Sequence, residues 1–367
     1  MSIESSLPFV LAGPIVRRAT IKQVNFWIVT SDPIVKQCQC VLSPNSQNTD
    51  VIDITDDNCQ TIQIGIKAFV HLITLEITLP ADQIIYYDFK FRKINQSLVE
   101  LCPDITYEGQ ALPSFTVSSE ISHLLHGSCR NPHHSSGDSM LRGDQMLAAH
   151  VSKANERPDL LMLSGDQIYA DDVSGPMLMA IHQVIDMLGL YDETFTDAMV
   201  DDSQQLYQHT DTYYRRVNLL PKLKTASSWF GRTSKTPIFS SRFCDNHLIS
   251  VAEVLAMYFL VWSPSLWSLC KLDKSLLSPN FHKKFDEELV NINKFVDGLP
   301  AVQRLMAHIP TYMIFDDHDV TDDWNLSALW EKTVYQHPLG RQVIGNTLVA
   351  YWLCQGWGND PKQFDQA

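Results

Sequence analysis

Apolar and polar side chains alternate through much of the first 120 residues. Ile85, Tyr87, Phe89 and Phe91 alternate with Tyr86, Asp88, Lys90 and Arg92. Phe69, Ile73, Leu75, Ile77 and Leu79 keep one parity with His71 as the lapse, and Val24, Phe26 and Ile28 start the pattern earlier. Period-two stretches bounded by Pro, Asn, Asp and Ser predict an antiparallel sheet with one wet face. A small β-sandwich over residues 1–120 is the expectation. The pattern then changes. Leu160-Leu-Met-Leu163 and Tyr312-Met-Ile-Phe315 are continuous apolar runs, expected as strands buried on both faces. Phe285, Leu289, Ile292, Val296 and Leu299 step by four and three residues, one face of a helix. Met140 to Ala154 is more weakly helical. Strands alternating with helices predict an α/β layer over 121–367, and the fold class is α/β (α+β). The two apolar runs lie too far apart for a single crossover, so a helical insertion is expected over roughly 174–300.

Length and charge narrow the picture. A chain of 367 residues predicts two or three domains. Its 42 acidic against 28 basic side chains, a formal net charge of −14, argue against nucleic acid, since no Lys/Arg excess displaces phosphate counterions. The opening Met1-Ser-Ile-Glu-Ser-Ser lacks the basic region of a secretory signal, and Leu7 to Ala12 is short for an apolar one; a cytoplasmic protein is expected. His247 to Leu272 is the one segment that invites a membrane reading, but a span needs about 20 mostly apolar residues. Glu253 sits within it and Pro264 breaks it, so a buried or lid helix is expected and no membrane span. Eight scattered cysteines do not form a disulfide framework. Cys38-Gln-Cys40 lacks the gap of a zinc knuckle. Buried or half-buried thiols are expected for all but Cys129.

Both apolar runs end in acids. Gly165-Asp166-Gln-Ile-Tyr169-Ala-Asp171-Asp172 follows the first, and Asp316-Asp317-His318-Asp319-Val-Thr-Asp322-Asp323-Trp324 follows the second. Ligands of open α/β sheets bind outside the carboxyl ends of strands. Carboxylates gathered there repel unless a cation neutralises them; hard cations take carboxylate oxygens, and a His suits a transition metal. The competing reading is polar turns and helix caps, with Asp171, Asp172, Asp322 and Asp323 as N-caps. The two clusters together favour metal. An EF-hand is excluded, because a loop starting at Asp317 has no Gly at its sixth position and Ala328 where the bidentate Glu belongs. A third segment, His126-Gly-Ser-Cys129-Arg130-Asn-Pro-His133-His134, follows the β-rich region. Its Cys is an inert thiol, a nucleophile or a metal ligand, and His133 and His134 are expected to be solvated or hydrogen-bonded. No G-x-S-x-G, P-loop, G-x-G-x-x-G or H-E-x-x-H occurs.

Taken in order, Gly127-Ser-Cys129-Arg130, Gly165-Asp166-Gln-Ile-Tyr169-Ala-Asp171 and Asp316-Asp317-His318-Asp319-Val resemble the motif series of the alkaline phosphatase D family of metallophosphoesterases. Gly13-Pro-Ile-Val-Arg17-Arg18 resembles the opening of that family. The resemblance implies an N-terminal β-domain, an αββα metallophosphatase core, and a mixed centre of iron plus calcium, with manganese or zinc as alternatives. Asp166 would bridge the metals, Cys129 and Tyr169 would bind the iron, and Asp317 would hold the second metal. Thiolate and phenolate suit ferric iron and carboxylates suit calcium. His318, with Asp317 the expected catalytic pair, would stabilise the transition state or protonate the leaving group. The implied activity is hydrolysis of a small-molecule or lipid phosphoester. Trp262 and Trp267 are expected to wall the cleft. One departure stands out: the family's later Gly-Asp-Val-His-like motif is missing, and the chain stops at Gln366-Ala367 in sequence that reads as mid-domain. A fragment, or a truncated product with an incomplete metal site, is therefore the expectation. A catalytically inactive fragment serving as a binding or structural module is the alternative.

Overall fold

Two antiparallel sheets pack face to face in the N-terminal part. The computed structural model describes residues 7–44, 49–226, 233–239, 244–322 and 324–364; Met1-Ser-Ile-Glu-Ser-Ser, Asp323 and Gln366-Ala367 lie outside the described residues. The first sheet contains β1 (Val10–Thr20), β2 (Gln23–Thr30), β5 (Cys59–Gly65) and β6 (Ala68–Leu75) in the order β1-β2-β6-β5. The second contains β3 (Cys38–Pro44), β4 (Asp50–Asp53), β7 (Ile84–Phe91) and β8 (Gln96–Ser97) in the order β4-β3-β7-β8, with β9 (Ser114–Thr116) on β7. Between them Val16, Phe26, Ile28 and Ile73 meet Cys40, Leu42, Tyr87 and Phe89. Phe26 stands edge-on to Phe89 at 5.2 Å.

The single wet face expected from alternation holds for the second sheet, where Lys90 is exposed. The first sheet is buried on both faces. Trp27, Val29, Val70 and Leu72 on its outer face join the core of the following helices, and truncating a buried Trp of this kind costs about 3–5 kcal/mol. His71 lies on the inner face with both ring nitrogens 2.8 Å from threonine hydroxyls, those of Thr30 and Thr61.

The parallel layer contains β10 (Leu124–Gly127), β11 (Leu160–Ser164) and β14 (Thr311–Ile314) in the order β10-β11-β14. Both apolar runs are strands, as expected, yet they are buried on one face only. Leu161, Leu163 and Met313 are buried, whereas Leu124, Met162 and Ile314 on the opposite face are 49%, 41% and 54% exposed. No layer covers that face among the described residues. The chain is therefore a mixed α/β protein with antiparallel and parallel sheets.

The helices are α1 (Leu98–Leu101), α2 (Met140–His150), α3 (Gly175–Leu188), α4 (Ser203–Gln208), α5 (Val251–Trp262), α6 (His282–His308), α7 (Ala328–Gln336) and α8 (Pro338–Cys354). The 174–300 stretch holds α3, α4, α5, most of α6 and a hairpin, β12 (Lys222–Ala226) with β13 (Thr233–Pro237). Buried residues of α3, α5 and α6 share one core with the first sheet and the parallel strands. Helix α5 is apolar because it is buried all round, and no helix among the described residues is long and apolar enough to cross a membrane. Glu253 sits in its first turn in a capping box with Ser250, and its carboxylate meets Arg216 at 2.6 Å and His182 at 2.9 Å. Arg17 joins the first sheet to β14 and the chain after α8. Fully buried, it donates to the carbonyls of Thr311 (3.0 Å), Cys354 (3.3 Å) and Gln355 (2.6 Å) and to Asn359 Oδ1 (2.8 Å). Burial without a carboxylate partner lowers its pKa to about 10.

Two buried histidines set an acid limit on this fold. Burial lowers both His71 and His308 to about 3, the Arg157 guanidinium adding to the effect on His308. A histidine with a depressed folded-state pKa is neutral when folded but takes up a proton in the unfolded chain below about 6.5. Stability is therefore lost as pH falls from 6.5 toward 3, by about 2 kcal/mol per histidine at pH 5. His71→Asn is expected to lose about 2 kcal/mol less than the parent between pH 7 and pH 5 in urea unfolding. An identical pH dependence for the two proteins would refute this account.

Candidate metal centre

The parallel strands deliver three loops to one edge of the sheet. Gly127 pairs with Leu163 and Ser164 with Ile314, so Cys129, Asp166 and Asp316-Asp317 emerge side by side from the carboxyl ends. Close approach depends on Gly165, which has φ +120°; a Cβ there would overlap that of Asp316. Cys129 and Asp166 adopt left-handed φ of 57° and 50°, a region that few non-glycine residues occupy. The backbones interlock: Cys129 N donates to Gly165 O (3.3 Å) and Arg130 N to Asp166 O (2.9 Å).

A buried carboxylate holds the second and third loops together. Asp319 Oδ2 accepts from the amides of Asp166 (2.7 Å) and Asp316 (3.1 Å), and Oδ1 accepts from Ile168 N (3.3 Å), Tyr258 Oη (3.3 Å) and Gln355 Nε2 (3.1 Å). Burial raises Asp319 to about 7, against the pull of its amide donors. Asp319 thus faces inward as a brace.

One oxygen each from Asp166, Asp316 and Asp317 lie within 4.8 Å of one another. Asp166 is 3% exposed and its Oδ1 has no hydrogen-bond partner. The Cys129 thiol lies near both side chains, favouring the ionised form of Asp166 and the neutral form of Tyr169. Burial raises the Asp166 carboxyl, with Asp316 and Asp317 pushing the same way, and burial likewise raises Asp317. Tyr169 is raised by burial first and then by Asp166 and Cys129. Cys129, Asp166, Tyr169 and Asp317 are accordingly neighbours. Asp316 joins them although the sequence reading assigned it no ligand role; its place at the end of β14, beside Asp317, was the available signal.

His318 lies against this group, its ring stacked on Tyr169 at 4.6 Å. Its Nδ1 is 3.0 Å from both oxygens of buried Asp171. That bond, with the charges of Asp171, Asp166 and Asp317, outweighs burial and raises His318 to about 9. Asp171 also accepts from Asp322 N at 2.9 Å. It is burdened by burial, yet His318, His247 and this amide hold it below the usual carboxylate range.

The remaining candidates are placed elsewhere. Asp172 accepts from Asn131 Nδ2 (3.0 Å) and lies 3.3 Å from His133 Nε2; His134 bonds Ser136 at 2.7 Å. Neither Asp171 nor Asp172 caps α3, whose N-cap is Ser174. Seven cysteines are buried or half-buried and Cys129 is exposed. Trp262 and Trp267 do not wall a cleft. Trp262 packs edge-on to Trp27 at 5.5 Å, and buried Trp267 donates from Nε1 to Leu260 O at 2.8 Å; the apolar surface that drew attention to them is core.

Three convergent carboxylates, one of them with an orphaned buried oxygen, together with a thiol and a phenol form a donor set that fits hard cations and a thiolate-accepting metal. No protein-family profile matches the chain, and no curated protein matches it.

Proposed function

We propose that the chain is a metal-dependent phosphoester hydrolase of the alkaline phosphatase D type, with the αββα layering of that family and a centre of iron plus calcium. The observation that carries the reading is Asp166 Oδ1, buried and unpartnered beside Asp316 and Asp317. A buried carboxylate oxygen left without a donor is costly, and a cation removes the cost.

Cys129 and Tyr169 would hold the iron, Asp317 and Asp316 the second cation, and Asp166 would contribute its carboxylate to the same centre. Cations held by these residues would supply an activated water and neutralise phosphoryl oxygens. In the hydrolysis itself the ester P–O bond breaks as a water oxygen bonds to phosphorus, and the departing oxygen takes a proton. His318 is the chain's proton carrier at this place. Asp171 fixes its Nδ1, leaving Nε2–H to donate to a phosphoryl oxygen or to the leaving group. Hydrolysis of a chromogenic phosphoester is expected to vanish on adding a strong chelator and to return with iron and calcium. With ferric iron bound, Tyr169 should give a phenolate charge-transfer band in the visible. Indifference to chelator would sink the reading, and a colourless, active, iron-free protein would remove Tyr169 from it.

A second reading, a non-catalytic binding or structural module, is favoured by the uncovered sheet face with Leu124, Met162 and Ile314, since apolar surface of that kind marks contact sites. Absence of hydrolysis in the protein supplied with iron and calcium would favour it.

A further inference from the structure

A cavity of about 200 Å³ opens beside Cys129, between the Arg130–Ser139 loop and Asn291, Lys294 and Phe295 of α6. Its base is apolar and braced. Phe295 is 6% exposed, and the Arg130 guanidinium lies 4.6 Å over its ring. Arg130 is itself neutralised by Asp138 at 2.8 Å and donates to Val261 O at 2.6 Å. Asn291 ties the two walls together by donating to His133 O at 3.0 Å. A Cβ at Gly137 would meet nothing within 4 Å, so the loop leaves the space open.

Lys294 differs from its neighbours. It is exposed and makes no hydrogen bond or ion pair among the described residues, in a chain of net charge −14. The cavity is thus lined both by Cys129 of the candidate centre and by Lys294, a cation without a partner among the described residues. Its volume has room for about six waters, enough for a small organic group and too little for a pair of acyl chains.

We propose that this cavity receives the organic group of the phosphoester, and that Lys294 selects small esters whose organic group carries a second anionic group over neutral and lipid esters. The proposal rests on the hydrolase reading for its phosphoryl end. An ammonium opposite a carboxylate supplies a charge-assisted hydrogen bond that a neutral group cannot.

Non-hydrolysable phosphonates test it apart from turnover. Binding of benzylphosphonate and 3-carboxybenzylphosphonate to the protein supplied with iron and calcium is measured by calorimetry. The carboxyl compound is expected to bind roughly tenfold tighter, the size of one charge-assisted bond. Lys294→Ala should shrink that advantage to about twofold or less, and Lys294→Arg should keep most of it. Equal affinities in the parent protein, no binding of either compound, or an advantage untouched by Lys294→Ala would overturn the proposal. So would tighter binding of phosphatidate vesicles. Hydrolysis of the matching esters is read separately. Carboxylate preference without turnover keeps the cavity's role and removes the hydrolase; turnover without preference does the reverse.

Discussion

Asp166→Asn is expected to abolish phosphoester hydrolysis and, with the metals removed, to make the protein more stable. Asn has the size of Asp and tolerates the left-handed φ of 50° found here, so the change isolates the charge. Activity should fall at least about 100-fold, because residues that merely support metal ligands already cost 10–100-fold when lost. The stability sign follows from the titration. Burial, joined by Asp316 and Asp317, raises the folded-state pKa of Asp166 against the pull of Cys129 and His318. A raised carboxyl is one whose ionised form the folded state disfavours, so at pH 7 its charge destabilises the metal-free fold. The amide removes that burden, and metal-free Asp166→Asn should melt above the metal-free parent. Adding iron and calcium should reverse the order, since cations that bind only the folded parent raise its melting temperature and not the variant's. Equal stabilisation of both proteins by the metals would remove Asp166 from the centre.

Legibility in the sequence followed what local pattern encodes. The alternation from Ile85 to Phe91 was readable because one face of that sheet meets water, as exposed Lys90 shows. The outer face of the first sheet was not, because Trp27, Val70 and Leu72 are covered by α3, α5 and α6, contacts that exist only in the tertiary structure. The same cause misled the reading of Trp262 and Trp267. Strand-end loops could be paired in advance, since parallel strands deliver their carboxyl ends to one edge; Cys129, Asp166, Tyr169 and Asp317 came out as neighbours for that reason. The split of duties within the acids was hidden. Asp316 and Asp319 stand in one loop, and nothing local tells that the first is exposed toward the cluster while the second turns inward to bind two loops' amides. Glu253 could have been read better. Ser250-Val-Ala-Glu253 is a capping-box pattern, which marks a helix start where the apolar run suggested a helix interior.

The pairing of Asp171 with His318 makes the second large prediction. His318→Ala is expected to lower hydrolysis about 100- to 10,000-fold, the range for a positioned proton donor. Asp171 is fully buried, and its hydrogen bonds among the described residues run to His318 and the Asp322 amide, so it acts as a positioning residue. Asp171→Asn keeps the shape but replaces the acceptor that fixes the ring, and should cost about 10- to 100-fold, as lost supporting groups do. The two effects should not add. If Asp171 works by orienting His318, the double variant will be no slower than His318→Ala alone, a coupling equal to the whole effect of Asp171→Asn. A merely structural Asp171 predicts the opposite, with additive losses of rate and equal losses of stability in both backgrounds. Additive rates would therefore assign His318 and Asp171 separate roles, and would leave the stacked Tyr169 ring as the group that orients the imidazole.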